Sequence, residues 1–210
     1  METNISKREV NKTQHKASIL DAAEKLFIQR GFENTSIDDV AKEARLTKRT
    51  LYQYFTSKED LFFAVALIGA KLLTFNYEEA LKRGRTALEK IRWANKAYFE
   101  FYKEYEGMFR LLNYQPANQQ NCADSPHYRE LQVISGIRMK CLRELVEEGR
   151  ADGSINAGLD TKQAVFFAFY CAYSLLCAAS SSDRTMWEML NLNEEEFLKF
   201  SFDLLANALK

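Results

Sequence analysis

Lys48, Arg49, Thr50, Tyr52 and Tyr54 crowd into the short segment 48–54, together with Gln53. Cations and hydroxyls at that density suit phosphate oxygens. Arg and Lys can also reach guanine O6 and N7, and Gln can reach adenine. Leu51 and Phe55 lie at i, i+4 spacing, so one helical face turns inward and carries the others outward. Thr47 is placed to cap this helix, with Leu46 and Leu51 set to pack as a hydrophobic staple. Upstream, Thr35 or Ser36 is an N-cap, with Asp38 or Asp39 closing a capping box. Ile37, Val40, Ala41 and Ala44 follow at i, i+3, i+4, i+7, the period of one buried face. Two short capped helices joined by a tight turn form a helix-turn-helix, the device that sets one helix in the major groove of DNA.

Charge is distributed to match. Lys plus Arg equals Asp plus Glu at 29 each in 210 residues, which excludes a globally basic, non-specific nucleic-acid binder. Affinity must come from a local patch. Lys7, Arg8, Lys12 and Lys16 precede the first helix, and Arg45, Lys48, Arg49 and Lys58 follow, with Asp38, Asp39 and Glu43 as a partial offset.

The elements that must position this segment are helical. Ile19, Ala23, Leu26 and Phe27 give the first helix its inner face, and Gly31 stops it with Phe32 behind. Ser57 and Asp60 form another capping box, opening a longer helix through Leu61, Val65, Ile68 and Leu72 that ends near Gly84. A helix over 86–106 is rich in aromatics, a loop spans 113–126, and helix resumes over 127–150. The most apolar helix runs over 161–179 and the last over 194–209. No stretch alternates like a strand, so the fold class is all-α, with about nine helices. The apolar run 164–179 is shorter than the roughly 20 residues of a membrane span, and 1–16 is too polar for a signal peptide. A cytoplasmic protein with no membrane partner is expected.

The block from Ile19-Leu-Asp-Ala-Ala-Glu-Lys-Leu-Phe through Arg30-Gly31-Phe32 and Thr50-Leu-Tyr-Gln-Tyr-Phe55 to Ser57-Lys-Glu-Asp-Leu61 resembles the N-terminal domain of the TetR family of transcriptional repressors. The resemblance covers roughly the first third of the chain. It implies a DNA-binding domain over 1–57 and a ligand-binding and dimerisation domain over 58–210. It also implies that Thr35, Thr47, Lys48, Arg49, Thr50, Tyr52, Tyr54 and Lys58 lie on DNA. One position departs: the family usually has glycine in the turn where this chain has Arg45. A side chain in a left-handed turn costs about 1 kcal/mol, so either the turn differs slightly here or Arg45 is tolerated for its charge beside phosphate.

One short helix covers few base pairs, so two heads on a palindromic operator are expected, hence a homodimer. In the family the last two helices pair with their copies as a four-helix bundle. The matching candidates here are Phe167, Tyr173, Leu176, Phe197, Phe202 and Leu205. The helix over 164–179 is apolar nearly all round and must be buried on most sides.

Family members commonly bind a small effector in the C-terminal body. Trp93, Phe99, Tyr102, Phe109, Phe166 and Tyr170 are candidates to line an apolar pocket, with His127, Arg110, Arg138 and Cys141 as polar contacts. The competing reading of the aromatics is ordinary bundle core. Cys122, Cys141, Cys171 and Cys177 show no metal spacing, which suits a reducing compartment. Cys122 lies in the polar loop and is expected to be exposed, either as an inert thiol or as a redox switch. No cofactor and no metal are expected. No catalytic constellation is present: no Gly-x-Ser-x-Gly elbow, no glycine-rich phosphate loop, and histidines far apart. The expected function is a repressor released from its operator by a small apolar or aromatic ligand. A non-enzymatic helical adaptor and an activator of the same fold are the alternatives.

Overall fold

The computed structural model describes residues 7–116, 122, 124–180 and 185–210. The described residues form ten helices and no strand: α1 (Lys7–Arg30), α2 (Ile37–Glu43), α3 (Lys48–Leu51), α4 (Lys58–Leu81), α5 (Ala87–Glu104), α6 (Glu106–Asn113), α7 (Pro126–Asp152), α8 (Thr161–Ala179), α9 (Thr185–Met189) and α10 (Glu194–Asn207). They group into two compact units. The head takes residues 1–69 and 114–132, and the body takes 70–113 and 133–210. α4 and α7 each give residues to both units.

In the head, α1 buries Ile19, Ala23, Leu26 and Phe27 as its period requires. Gly31 stops the helix at φ 78, its N–H donating to the Phe27 carbonyl at 3.0 Å. Phe32 then folds back onto Phe27 and Phe62, with ring centroids 5.9 and 5.1 Å away. Ser36 caps α2 in a reciprocal box: the Asp39 N–H donates to Ser36 Oγ at 3.1 Å, and the Ser36 N–H donates to Asp39 Oδ2 at 3.0 Å. Thr47 caps α3, accepting from the Thr50 N–H at 3.1 Å. Between them Arg45 adopts φ 56, so the chain makes the left-handed turn without glycine.

In the body, the expected helix over 86–106 is α5, and the unassigned stretch after it, 106–113, forms a separate helix, α6. The break falls at Tyr105 and lets α6 fold back, setting Phe109 5.7 Å from Tyr98 and 5.3 Å from Tyr102. α4 ends at Leu81. Gly84 serves the following turn, where a Cβ would lie 2.5 Å from the Lys90 backbone nitrogen. The first N–H groups of α5, from Ala87 and Leu88, are taken by Asp152 at 2.9 Å and Ser154 at 3.2 Å. Arg92 ties α5 to α10 through Asp203 at 2.8 Å and Asn207 at 2.7 Å. Both α6 and the short α9 are additions to the expected set.

By length and composition α4 and α8 are long and apolar enough to cross a membrane; their apolar windows are 61% and 33% buried within the protein. Within a single chain, α8 buries one face only.

Arg45→Gly removes the side-chain penalty at φ 56 and should raise the urea unfolding midpoint, equivalent to about 0.5–1 kcal/mol. A lowered midpoint would show that the Arg45 side chain contributes more than its backbone conformation costs.

Candidate nucleic-acid interface

α3 is a single turn held from below. Leu51 and Phe55 are both wholly buried, and the backbone N–H of Phe55 returns to the Leu51 carbonyl at 3.1 Å. That anchoring leaves Thr47, Lys48, Arg49, Tyr52 and Gln53 exposed, with Tyr52 keeping 47% of its surface. Thr50 is half-buried, its hydroxyl 2.8 Å from that of Thr47. Arg49 has no hydrogen bond or ion pair among the described residues, and its guanidinium stands free to meet an anion or a base edge. Lys48 is engaged: its ammonium donates to Asp38 Oδ2 at 2.8 Å, and this carboxylate raises the lysine pKa above its ordinary value.

The acids of α2 offset the patch less than their number implies, because each has a partner. Asp38 holds Lys48, Asp39 closes the capping box, and Glu43 accepts from Lys25 at 2.5 Å. Hydrogen bonds from Ser36 hold Asp39 below the usual carboxylate range, and Lys25 does the same for Glu43. Lys12, Lys16 and Arg45 are exposed; the side chains of Lys7 and Arg8 lie outside the described residues.

Three candidates sit differently from expectation. Thr35 is only 1% exposed, and its hydroxyl donates to the carbonyls of Gly31 at 2.8 Å and Leu26 at 3.3 Å. It is tied to carbonyls in and just past the last turn of α1, so its side chain points inward. Tyr54 is half-buried, its hydroxyl 3.5 Å from His15 Nδ1. Lys58 lays its ammonium 4.1 Å from the Phe32 ring centroid and 3.4 Å from the Glu33 carbonyl.

A buried cluster beneath α3 was not legible in the sequence. Asp60, 2% exposed, accepts from Ser125 Oγ at 2.6 Å and from the Thr56 N–H at 3.1 Å, and lies 2.8 Å from His127 Nδ1. The His127 ring packs on Phe55, centroids 5.8 Å apart. Burial pushes the Asp60 carboxyl up, but the hydrogen bonds from Ser125, His127 and Thr56 outweigh it and hold the group below the usual range. The capping role of Asp60 was readable; partners more than sixty residues away were not. His127, expected among effector contacts, is instead part of this head cluster.

The other effector candidates do not converge. Phe99, Tyr102 and Phe109 are core of the body. Trp93, Phe99 and Phe202 line an open groove of about 1000 Å³ between α5 and α10, rimmed by paired charges. Phe166 and Tyr170 are 62% and 46% exposed, their rings 4.2 Å apart on the outside of α8. Of the interface candidates, Leu176, Phe202 and Leu205 are buried within one chain, whereas Phe167 is exposed and Tyr173 and Phe197 are half-buried. The helical period placed these residues on α8 and α10 but could not say which stripe faces the chain's own core. Cys122, expected to be exposed, is 2% exposed; burial and the charge of Glu59 raise its thiol pKa, the opposite of a reactive thiol.

Residues 19–65 match the family model for bacterial regulatory proteins, tetR family. The match covers the head alone, and there the chain is similar to members of that family. Among curated relatives, the transcriptional activator FasR of Mycolicibacterium smegmatis is 29% identical over 99 residues, which cover 47% of this chain and 45% of FasR. The transcriptional repressor KstR2 of the same organism is 27% identical over 142 residues, covering 68% of each chain. In fold the likeness reaches the body: the regulator FadR from Bacillus subtilis, solved in complex with stearoyl-CoA, superposes with a TM-score of 0.71 at 20% identity, covering 92% of this chain and 99% of that one.

Because the folded pKa of Asp60 is depressed, its contribution to stability is present above the unfolded value of about 3.9 and is lost as pH falls through the lower folded value. Asp60→Asn should lower stability at pH 7 and flatten its decline between pH ~5 and pH ~2. An equally steep acid limb in the variant, followed by circular dichroism, would assign the decline to other carboxylates.

Proposed function

We propose that this protein is a DNA-binding transcriptional regulator that acts as a homodimeric repressor and leaves a palindromic operator when a small ligand with an apolar body binds the C-terminal unit. The observation that carries the reading is α3: a turn too short to serve as packing, anchored by Leu51 and Phe55, showing Lys48, Arg49, Tyr52 and Gln53 to solvent. A protein adaptor has no use for that display. Arg49 would read a base edge, Lys48 would exchange Asp38 for phosphate, and Thr47 and Tyr52 would donate to the backbone.

Dimerisation is supported by the outside of α8 and α10. Phe166, Phe167, Phe169 and Tyr170 on α8, with Phe200 and Leu204 on α10, remain 37–64% exposed, more apolar surface than an isolated chain tolerates well. An isologous contact across this face would bury them and fix the distance between two heads. The ligand acts by preferring the arrangement that fits DNA poorly. The stearoyl-CoA held by FadR supports an effector with an apolar body. FasR is an activator, so the same architecture serves either sign, and the position of the operator relative to the promoter would decide which applies. Such a regulator works in the cytoplasm.

Fluorescence anisotropy with DNA from upstream of its own gene, with genomic selection for the site if that fails, tests the reading. Arg49→Ala should weaken operator binding by about 1–3 kcal/mol, and wild-type affinity should fall steeply with salt. Equal, weak binding of both proteins to every sequence would return the adaptor to first place. Separately, Phe166→Asp with Phe200→Asp should give a monomer by analytical ultracentrifugation and lose the operator while the head stays folded; a variant that remains dimeric would move the interface elsewhere.

A further inference from the structure

Four helices of the body turn polar side chains toward its interior at one level. On α7, Ile134, Arg138, Cys141 and Leu145 follow at i, i+4, i+7, i+11, and Leu145 is 5% exposed, so Arg138 lies on the inward stripe. On α4, Tyr77 sits one turn after Leu73 and one before Ala80, both buried. On α5, Asn95 and Tyr98 are one turn apart, and on α8 so are Tyr173 and Cys177. These residues sense one another: Arg138 interacts with Tyr98 and Tyr77, Tyr98 with Tyr173 and Cys177, and Tyr77 with Cys141.

The cluster is incomplete in charge. Arg138 has no carboxylate and no hydrogen-bond acceptor among the described residues, although burial depresses its pKa against the pull of the two tyrosines. Burial drives both tyrosine pKa values far up, so the phenols stay neutral and cannot balance the guanidinium. The nearest acids felt in this region, Glu144 and Glu78, act on Cys141 from exposed positions, and Glu144 pairs with Lys140. Asn95 adds a second deficit: its Nδ2 is buried with no acceptor. A half-buried cation without a partner and a buried amide donor without an acceptor each cost free energy. Both deficits are removed by the same thing, a group that accepts hydrogen bonds and carries negative charge.

We propose that Arg138, the hydroxyls of Tyr77 and Tyr98, and the amide of Asn95 form an anion-recognition centre inside the body that seats the carboxylate of an effector with an apolar body. The proposal rests on the effector reading above and narrows its ligand to an acid. A neutral ester, amide or alcohol would leave the guanidinium uncompensated, whereas a carboxylate meets its fork with two parallel N–H bonds.

The test uses the full-length protein and, as probes, benzoate, phenylacetate, octanoate and palmitate, each against its primary amide. Thermal melting and calorimetry should find at least one acid that raises the wild-type Tm and binds at least about tenfold more tightly than its amide, roughly 1.4 kcal/mol. Arg138→Gln should abolish that preference, and Tyr98→Phe should weaken it. Without ligand, Arg138→Met should melt at or above wild type, since it removes an uncompensated charge. Acids and amides that bind alike, or fail alike, would overturn the proposal. So would a ligand-free Arg138→Met or Arg138→Gln that melts several degrees lower, which would make Arg138 a structural residue. Operator binding is scored separately: loss of acid preference in a protein that still binds its operator overturns this centre alone, and acid binding in a protein with no operator overturns the regulator reading alone.

Discussion

A helix of four residues cannot sustain itself in water, because nucleation costs more than one turn of hydrogen bonds returns. α3 therefore depends on what lies beneath it, and above all on Leu51 and Phe55, both wholly buried, with Thr47 capping its open N-terminus. The rest of the head can be understood as support for that anchoring. α1 and α4 build the apolar floor through Phe27, Phe32 and Phe62. The capping box at Ser36 sets the start of α2, and the left-handed turn at Arg45 sets the angle at which α3 leaves it. Loss of the floor would remove the display of Arg49 and Tyr52 without touching either residue.

Asp60 is the polar counterpart of that floor. A carboxylate so deeply buried is tolerated only because three donors surround it, and those donors come from two places in the chain: Thr56 just before α4, and Ser125 and His127 at the start of α7. His127 also packs its ring on Phe55. The first turn of α7 is thereby fastened to the residues that carry α3, and the same helix continues into the body.

The body divides its apolar side chains into two populations with different uses. Leu176, Leu198, Phe202 and Leu205 close the packing of α8 on α10, and Phe166, Phe167, Phe200 and Leu204 on the same two helices remain in solvent. Residues of one type, on one helix, thus pack against the chain on one side and stay exposed on the other. Tyr77, Tyr98 and Arg138 are a third population, polar and half-buried, whose pKa values are all displaced chiefly by desolvation.

Local signals in this chain were strong enough to be read without a structure. The helix-turn-helix, the Ser36 and Thr47 caps, Gly31 as a helix stop and Leu51 and Phe55 as anchors follow from hydrogen bonding and periodicity over a few residues. For Arg45 the family resemblance left two alternatives, an altered turn or a tolerated side chain, and the structure has the left-handed turn. What tertiary structure alone decided is everything that depends on partners distant in sequence. Thr35 turned inward to the end of α1, Cys122 became buried beside Glu59, and His127 joined Asp60 in the head instead of meeting aromatics in the body. Leu176 and Phe166, alike in hydropathy and ten residues apart on α8, ended on opposite sides of the surface. Periodicity reports that a helix has an apolar stripe. Which stripe meets the chain's own core is set by where the other helices lie, and no short stretch of sequence contains that information.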